Sequence, residues 1–303
     1  MCAPIVMQEV VRSLSRRDVL RLGVAGAAAL VAAGLPGTSS AAESEAAAAT
    51  PTAVGADPAP ELLELSSPLA LRATRLLDLT HTLTGAFPVI PVPGVTFPFR
   101  QTPIATFETM GLFANKWEMI DHNGTHIDAT NHFHPLGYSL EQIPLRSLVI
   151  PLVVVDIRER AASDPDATVR ADDLLAWERT HGAIPEGAAV FMDSGWDRKA
   201  TDPHAFLNPD AGGTMHFPGF SLDAIAFLLR ERAISGIGVD TISFDPGTDH
   251  HYLGHKALFA GGKWGIENIK NLGLAPRAGA MLFVGAMKVG GASGGPARLL
   301  ALW

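Results

Sequence analysis

From about residue 75 onward the chain alternates continuous apolar runs with segments of helical periodicity. Val149 to Ile157 is unbroken and rich in β-branched residues, which predicts a strand buried on both faces. Ala188 to Met192 predicts a second strand, ending in Ser194-Gly195-Trp196, and Ile234 to Phe244 and Ala280 to Val289 predict two more. Between them Ala171 to His181 reads as a helix. Ser221 is a fair N-cap for another, in which Leu222, Ile225, Ala226 and Leu229 follow the i, i+3, i+4, i+7 spacing. No internal repeat is visible. Strands separated by crossover helices predict an α/β fold with a mixed sheet.

The N-terminal region lacks this pattern. Ser15-Arg16-Arg17-Asp18-Val19-Leu20-Arg21 is a twin-arginine pattern, followed by a Gly- and Ala-rich apolar run from Leu22 to Leu35 and by Ser40-Ala41-Ala42, small residues suited to cleavage. The run is shorter than the roughly 20 residues of a stable membrane span. Residues 1–42 therefore predict an export signal, to the periplasm, the cell envelope or the medium; a permanent anchor is the competing reading. Residues 43–70, rich in Ala, Pro and Ser, predict a flexible linker, and residues 71–303 the folded domain.

Removing residues 1–42 takes away four arginines (Arg12, Arg16, Arg17, Arg21) and two acids (Glu9, Asp18), so the net charge moves from −8 to −10. Such a surface argues against nucleic acid and anionic membranes as partners, and predicts no stable membrane insertion after processing. Cys2, the only cysteine, leaves with the signal. Any metal site must then rest on His, Asp and Glu.

Those residues cluster. His122-Asn123-Gly124-Thr125-His126-Ile127-Asp128-Ala129-Thr130-Asn131-His132 packs three imidazoles and a carboxylate into eleven residues, spaced H-x3-H-x-D-x3-H. Imidazole and carboxylate without thiolate is the donor set of an open, catalytic divalent-metal site. Gly124, Thr125 and Ile127 argue against a helix here. On an extended strand His126 and Asp128 share one face, and His122 reaches the same ion across the Gly124 turn. His132 reads as a general acid–base or as a further ligand. Downstream lie Gly238-Val239-Asp240-Thr241-Ile242-Ser243-Phe244-Asp245-Pro246, Asp249-His250-His251, and His255 twelve residues before Glu267 in Gly265-Ile266-Glu267-Asn268.

Together the two motifs resemble the metal-dependent cyclase family that includes bacterial kynurenine formamidase and isatin hydrolase. Its first motif, H-x-G-T-H-x-D-x-P-x-H-F, is matched except for Thr130 in place of Pro. Its second, G-x-D-T-x-S-x-D-P followed by His and a G-I-E-N stretch, is matched throughout. Asp78-Leu79-Thr80-His81 and Gly291-Ala292-Ser293-Gly294-Gly295-Pro296-Ala297-Arg298 resemble the family's ends, so the likeness spans roughly residues 75–303. The resemblance implies a swivelling β/β/α fold and hydrolysis of an amide or lactam C–N bond in a small molecule. It implies that His122, His126 and Asp128 bind a first ion, and that Asp128 and Glu267 bridge to a second, which His255 also binds. Two divalent ions, Zn²⁺ or Mn²⁺, are thus expected. His132 is left free as general acid–base, and a homo-oligomer is expected. A lactone substrate and a binding protein without turnover are the alternatives.

Other residues read more plainly. Asp240 and Asp245 are expected to pin the loop or orient ligating histidines. His81, His250 and His251 are open, whereas His181, His204 and His216 read as surface or loop residues. Gly291-Ala292-Ser293-Gly294-Gly295 matches G-x-S-x-G, but no acid or His follows Ser293, so no nucleophile elbow is predicted. Gly261-Gly262-Lys263-Trp264 lacks the spacing of a phosphate-binding loop. Formamidases of the family carry Trp in a Pro-x-Trp-Pro-Gly stretch, where Pro91-Val92-Pro93-Gly94 has Val92. That substitution speaks against N-formylkynurenine and leaves an isatin-like lactam as the next reading.

Overall fold

The structure, a computed structural model, describes residues 73–303. The expected signal and linker lie outside these residues. The first elements are a short strand β1 (Leu76–Asp78) and a hairpin of β2 (Arg100–Ala105) and β3 (Ala114–Glu118), tipped by one helical turn, α1 (Phe107–Met110). Next come β4 (His126–Asp128), β5 (Val149–Asp156), α2 (Arg158–Ser163), β6 (Thr168–Val169), α3 (Ala171–His181) and β7 (Ala189–Asp193). The chain continues through α4 (Pro203–Leu207), β8 (Gly219–Phe220), α5 (Leu222–Glu231), β9 (Gly236–Val239), α6 (Leu253–Ala260), β10 (Trp264–Glu267), β11 (Ala280–Ala286) and β12 (Gly294–Leu302).

The main sheet has the order β1-β12-β11-β5-β7-β9-β10-β4, and β4 also pairs with β12. That last pairing closes the sheet into a barrel-like ring. Neighbours from β5 through β7 and β9 to β10 run parallel, and the remaining pairs are antiparallel. The fold is therefore mixed α/β, as the alternation of runs and periodic segments predicts.

Side-chain alternation sorts the strands into two cores. On β5, Leu152 and Val154 enter a cluster with Phe191, Trp264, Ile266 and Leu282, whereas Val153 and Val155 face Leu174, Trp177, Ile225 and Leu228 of α3 and α5. Burial on both faces explains the unbroken apolar runs. Helix α3 matches its predicted span, and α5 starts at Ser221, whose hydroxyl accepts from Ala224 N at 3.3 Å. The Ile234–Phe244 run shortens to β9, because the chain leaves the sheet at Asp240. Its carboxylate accepts from the backbone of Ser194 and Trp196 and from the Ser194 hydroxyl, tying the ends of β9 and β7 together. A third cluster, Phe87, Trp196, Phe206, Phe217 and Ile242, joins these loops to the segment around Leu83 and Ile90.

Candidate metal centre

Strand β4 carries the first motif. Ile127 points into the core, so His126 and Asp128 share the opposite face. Strand β10 pairs antiparallel with β4 and sets Glu267 opposite His126. The turn before β4 uses Gly124 at φ +66°, a conformation that suits glycine. Its carbonyl accepts from His126 Nδ1 and Asn268 Nδ2, both at 2.9 Å, and Thr125 Oγ1 donates to Asn268 O at 2.6 Å. Asn268, at φ +58°, thus clamps the end of β10 to the turn of the first motif. The two motifs meet through backbone pairing as well as at the site.

Two groups of donor atoms converge, and Asp128 belongs to both: His122, His126 and Asp128, then Asp128, His255 and Glu267. Asp128 Oδ1 lies 2.7 Å from His122 Nδ1 and 3.2 Å from His126 Nε2. Glu267 lies 3.4 Å from His126 Nε2 and 3.3 Å from His255 Nε2. His255 comes from α6, whose buried N-terminal amides Asp245 satisfies: it accepts from Gly254 N and His255 N and, at 2.5 Å, from His255 Nδ1. Asp245 therefore fixes the ring so that Nε2 faces the cluster, as the sequence reading expects. Asp240 instead serves the Ser194 turn. Phe244 stacks on His255 at 3.7 Å between centroids, and Phe133 and Tyr252 flank the same ring.

The electrostatics describe a site that draws cations. Burial alone lowers the His126 pKa, but Asp128, Glu267 and the Gly124 carbonyl raise it to about 9. Burial opposes charge on His255 too, yet Asp128, Asp245 and Glu267 hold it well above its ordinary value. Burial would raise Asp128, and His126 and His122 bring it well below. A divalent ion meets the same demand for positive charge and displaces the protons. Two buried atoms in the cluster, His126 Nε2 and Asp128 Oδ2, have no hydrogen-bond partner. Such orphans are costly unless something is coordinated there. The residues present fit a divalent metal.

His132 lies outside both donor groups. It stacks on His122, with centroids 3.8 Å apart, and lies 5.9 Å from His255. Burial lowers its pKa to about 3; Asp128 opposes this, and His122, His255 and His126 reinforce it. His132 is thus a neutral imidazole beside the donor cluster. His81 donates its backbone N–H to Thr125 and lines a neighbouring crevice of about 820 Å³ with Phe87, Arg158, Asp193 and Lys270. His181, His204, His250 and His251 are exposed, and His216 pairs with Asp166. Asp121 and Ser293 reach the site although the sequence reading left them out. Ser293 had a signal, its glycine-rich setting, read as a failed nucleophile elbow and as part of the family's terminal segment, with no role for the serine itself.

Comparison with known proteins agrees with this geometry. A family model described as "Putative cyclase" matches residues 77–246. Isatin hydrolase from Roseibium aggregatum is 32% identical over 255 residues, covering 78% of this chain and 95% of that protein. The structure of isatin hydrolase A from Labrenzia aggregata, bound to benzyl benzoate, superposes with a TM-score of 0.71 at 36% identity, covering 75% of this chain and 93% of that one. Kynurenine formamidase from Salinibacter ruber is 28% identical over 179 residues, 58% of this chain and 74% of that protein. Fold and site together define a metal-dependent hydrolase acting on carbon–nitrogen bonds other than peptide bonds. The chain belongs to the cyclase family.

Proposed function

We propose that this enzyme opens a cyclic amide of the isatin type, with His122, His126, Asp128, His255 and Glu267 holding two divalent ions, Zn²⁺ or Mn²⁺, and His132 moving the proton. The observation that carries the reading is the pair of donor groups sharing Asp128, with an imidazole held neutral beside them. A divalent ion, when bound, supplies Lewis acidity and brings the pKa of a coordinated water toward neutrality. His132, outside both donor groups and stacked on His122, accepts a proton from the attacking water. The water oxygen bonds to the amide carbon, the C–N bond breaks, and His132 returns its proton to the departing nitrogen. A carboxylic acid and an amine result, and the acid gives its proton to solvent. Phe133 and Tyr252, both partly exposed beside His255, offer an aromatic surface suited to an aryl ring.

Val92, where the family's formamidases carry Trp, favours a lactam over N-formylkynurenine. An aryl formamide is the second reading, supported by the likeness to kynurenine formamidase. The same reading carries the swivelling β/β/α description of the fold, export by the twin-arginine route and assembly with a second copy. The deciding experiment is turnover of a panel of lactams, aryl formamides and lactones by metal-loaded protein. Lactam opening that is abolished by chelation and restored by Mn²⁺ or Zn²⁺ is expected. Metal binding without turnover of any panel member would make the chain a binding protein instead.

A further inference from the structure

The G-x-S-x-G stretch has a place in the site. Gly294 brings β12 so close to the first motif that a Cβ there would meet His122 Cε1 at 2.7 Å and Ile127 O at 2.9 Å. Ser293 Oγ consequently lies 2.9 Å from His122 Nε2 and 2.7 Å from Asp121 Oδ2. The polarity of this chain follows from proton counting. An ionised carboxylate only accepts, and a serine hydroxyl has one proton to give. Ser293 donates to Asp121, which also accepts from Ser293 N at 3.3 Å. Toward His122 the hydroxyl can then only accept, so Nε2 carries the hydrogen. Without a metal, a proton on Nδ1 bridges to Asp128 Oδ1, 2.7 Å away. When the ring is neutral and Nε2 keeps its hydrogen, the Nδ1 lone pair is the one aimed at the donor cluster, and a metal ion takes that proton's place.

His122 is thereby reversed relative to its neighbours. His126 and His255 give their Nδ1 hydrogens to Gly124 O and Asp245, and present Nε2 to the cluster. We infer that Ser293 and Asp121 are positioning residues that hold His122 in its Nε2–H form and aim Nδ1 at the metal. The inference rests on the metal reading above. Outer hydrogen bonds of this kind set the tautomer and basicity of a ligating imidazole, and losing one weakens metal binding by about 10–100-fold.

The test is Mn²⁺ and Zn²⁺ affinity, measured by chelator competition on the purified protein, with the melting temperature of the metal-free protein alongside. Ser293→Ala should weaken binding by about 10–100-fold. Ser293→Thr should restore most of it. Asp121→Ala frees the hydroxyl to turn round and donate to Nε2, and should also weaken binding. In the Ser293→Ala background it should add nothing, because the two act as one chain. Additive losses, or a lowered melting temperature with metal affinity intact, would overturn the inference. Asp121→Ala carries the test if Ser293→Ala fails to fold. His126→Ala is the reference. If His126→Ala loses metal and Ser293→Ala does not, only this inference fails; if neither does, the metal reading itself falls.

Discussion

At the residue scale, the first motif was readable because strand alternation turns H-x-D spacing into a shared face, and β4 delivers it. What spacing could not distinguish was ligand from proton carrier among the motif's three histidines. His132, outside both donor groups and stacked on His122, is the one we propose as proton carrier. His126→Ala should lose metal and activity together. His132→Ala should keep metal near the wild-type level while kcat falls about 10²–10⁴-fold, the usual contribution of a positioned acid–base group. The loss should shrink for substrates with good leaving groups, which need less protonation as they depart. Metal stoichiometry and kcat on both variants decide the matter, and parallel metal loss would make His132 a ligand.

At the element scale, long apolar strands and helix α3 were legible because burial on both faces, or a single helical period, leaves a local signature. Strand β12 was not, because its opening glycines read as a loop. Helix α6 was missed too, although it aims His255. The β2–β3 hairpin stands apart from the main sheet and exposes Phe107 (70%), Trp117 (61%) and Phe113 (55%). A two-stranded ribbon is marginal alone in water, and a patch this apolar marks an interface. We propose that a second copy of the chain covers this arm, in keeping with the expected homo-oligomer. Light scattering on purified protein should give a dimer. Phe107→Ser with Trp117→Ser should weaken association at least about 100-fold, since each buried aromatic is worth about 1.5–3 kcal/mol. A monomeric wild type at micromolar concentration would sink the idea.

At the scale of the whole molecule, we propose that an export address and the enzyme are separable. The twin-arginine pattern lies outside the described residues, and no helix among those described is long and apolar enough to cross a membrane. Arg16→Lys with Arg17→Lys should leave the precursor inside the cell, folded and metal-loaded, because the pair serves only as an address. Fractionation showing normal export of the variant would refute the twin-arginine reading. The sequence by itself determined the α/β alternation and the His/Asp/Glu donor set, because these depend on side-chain period and ligand chemistry, both local properties. Only the tertiary structure decided that β4 closes the sheet against β12. The tertiary structure realises, through β4–β10 pairing, the sharing of Asp128 between two donor groups that the sequence carried only through the family resemblance. It also decided that Ser293 faces His122. Those contacts arise from strand register and close packing between distant segments, and no local pattern encodes which segments will meet.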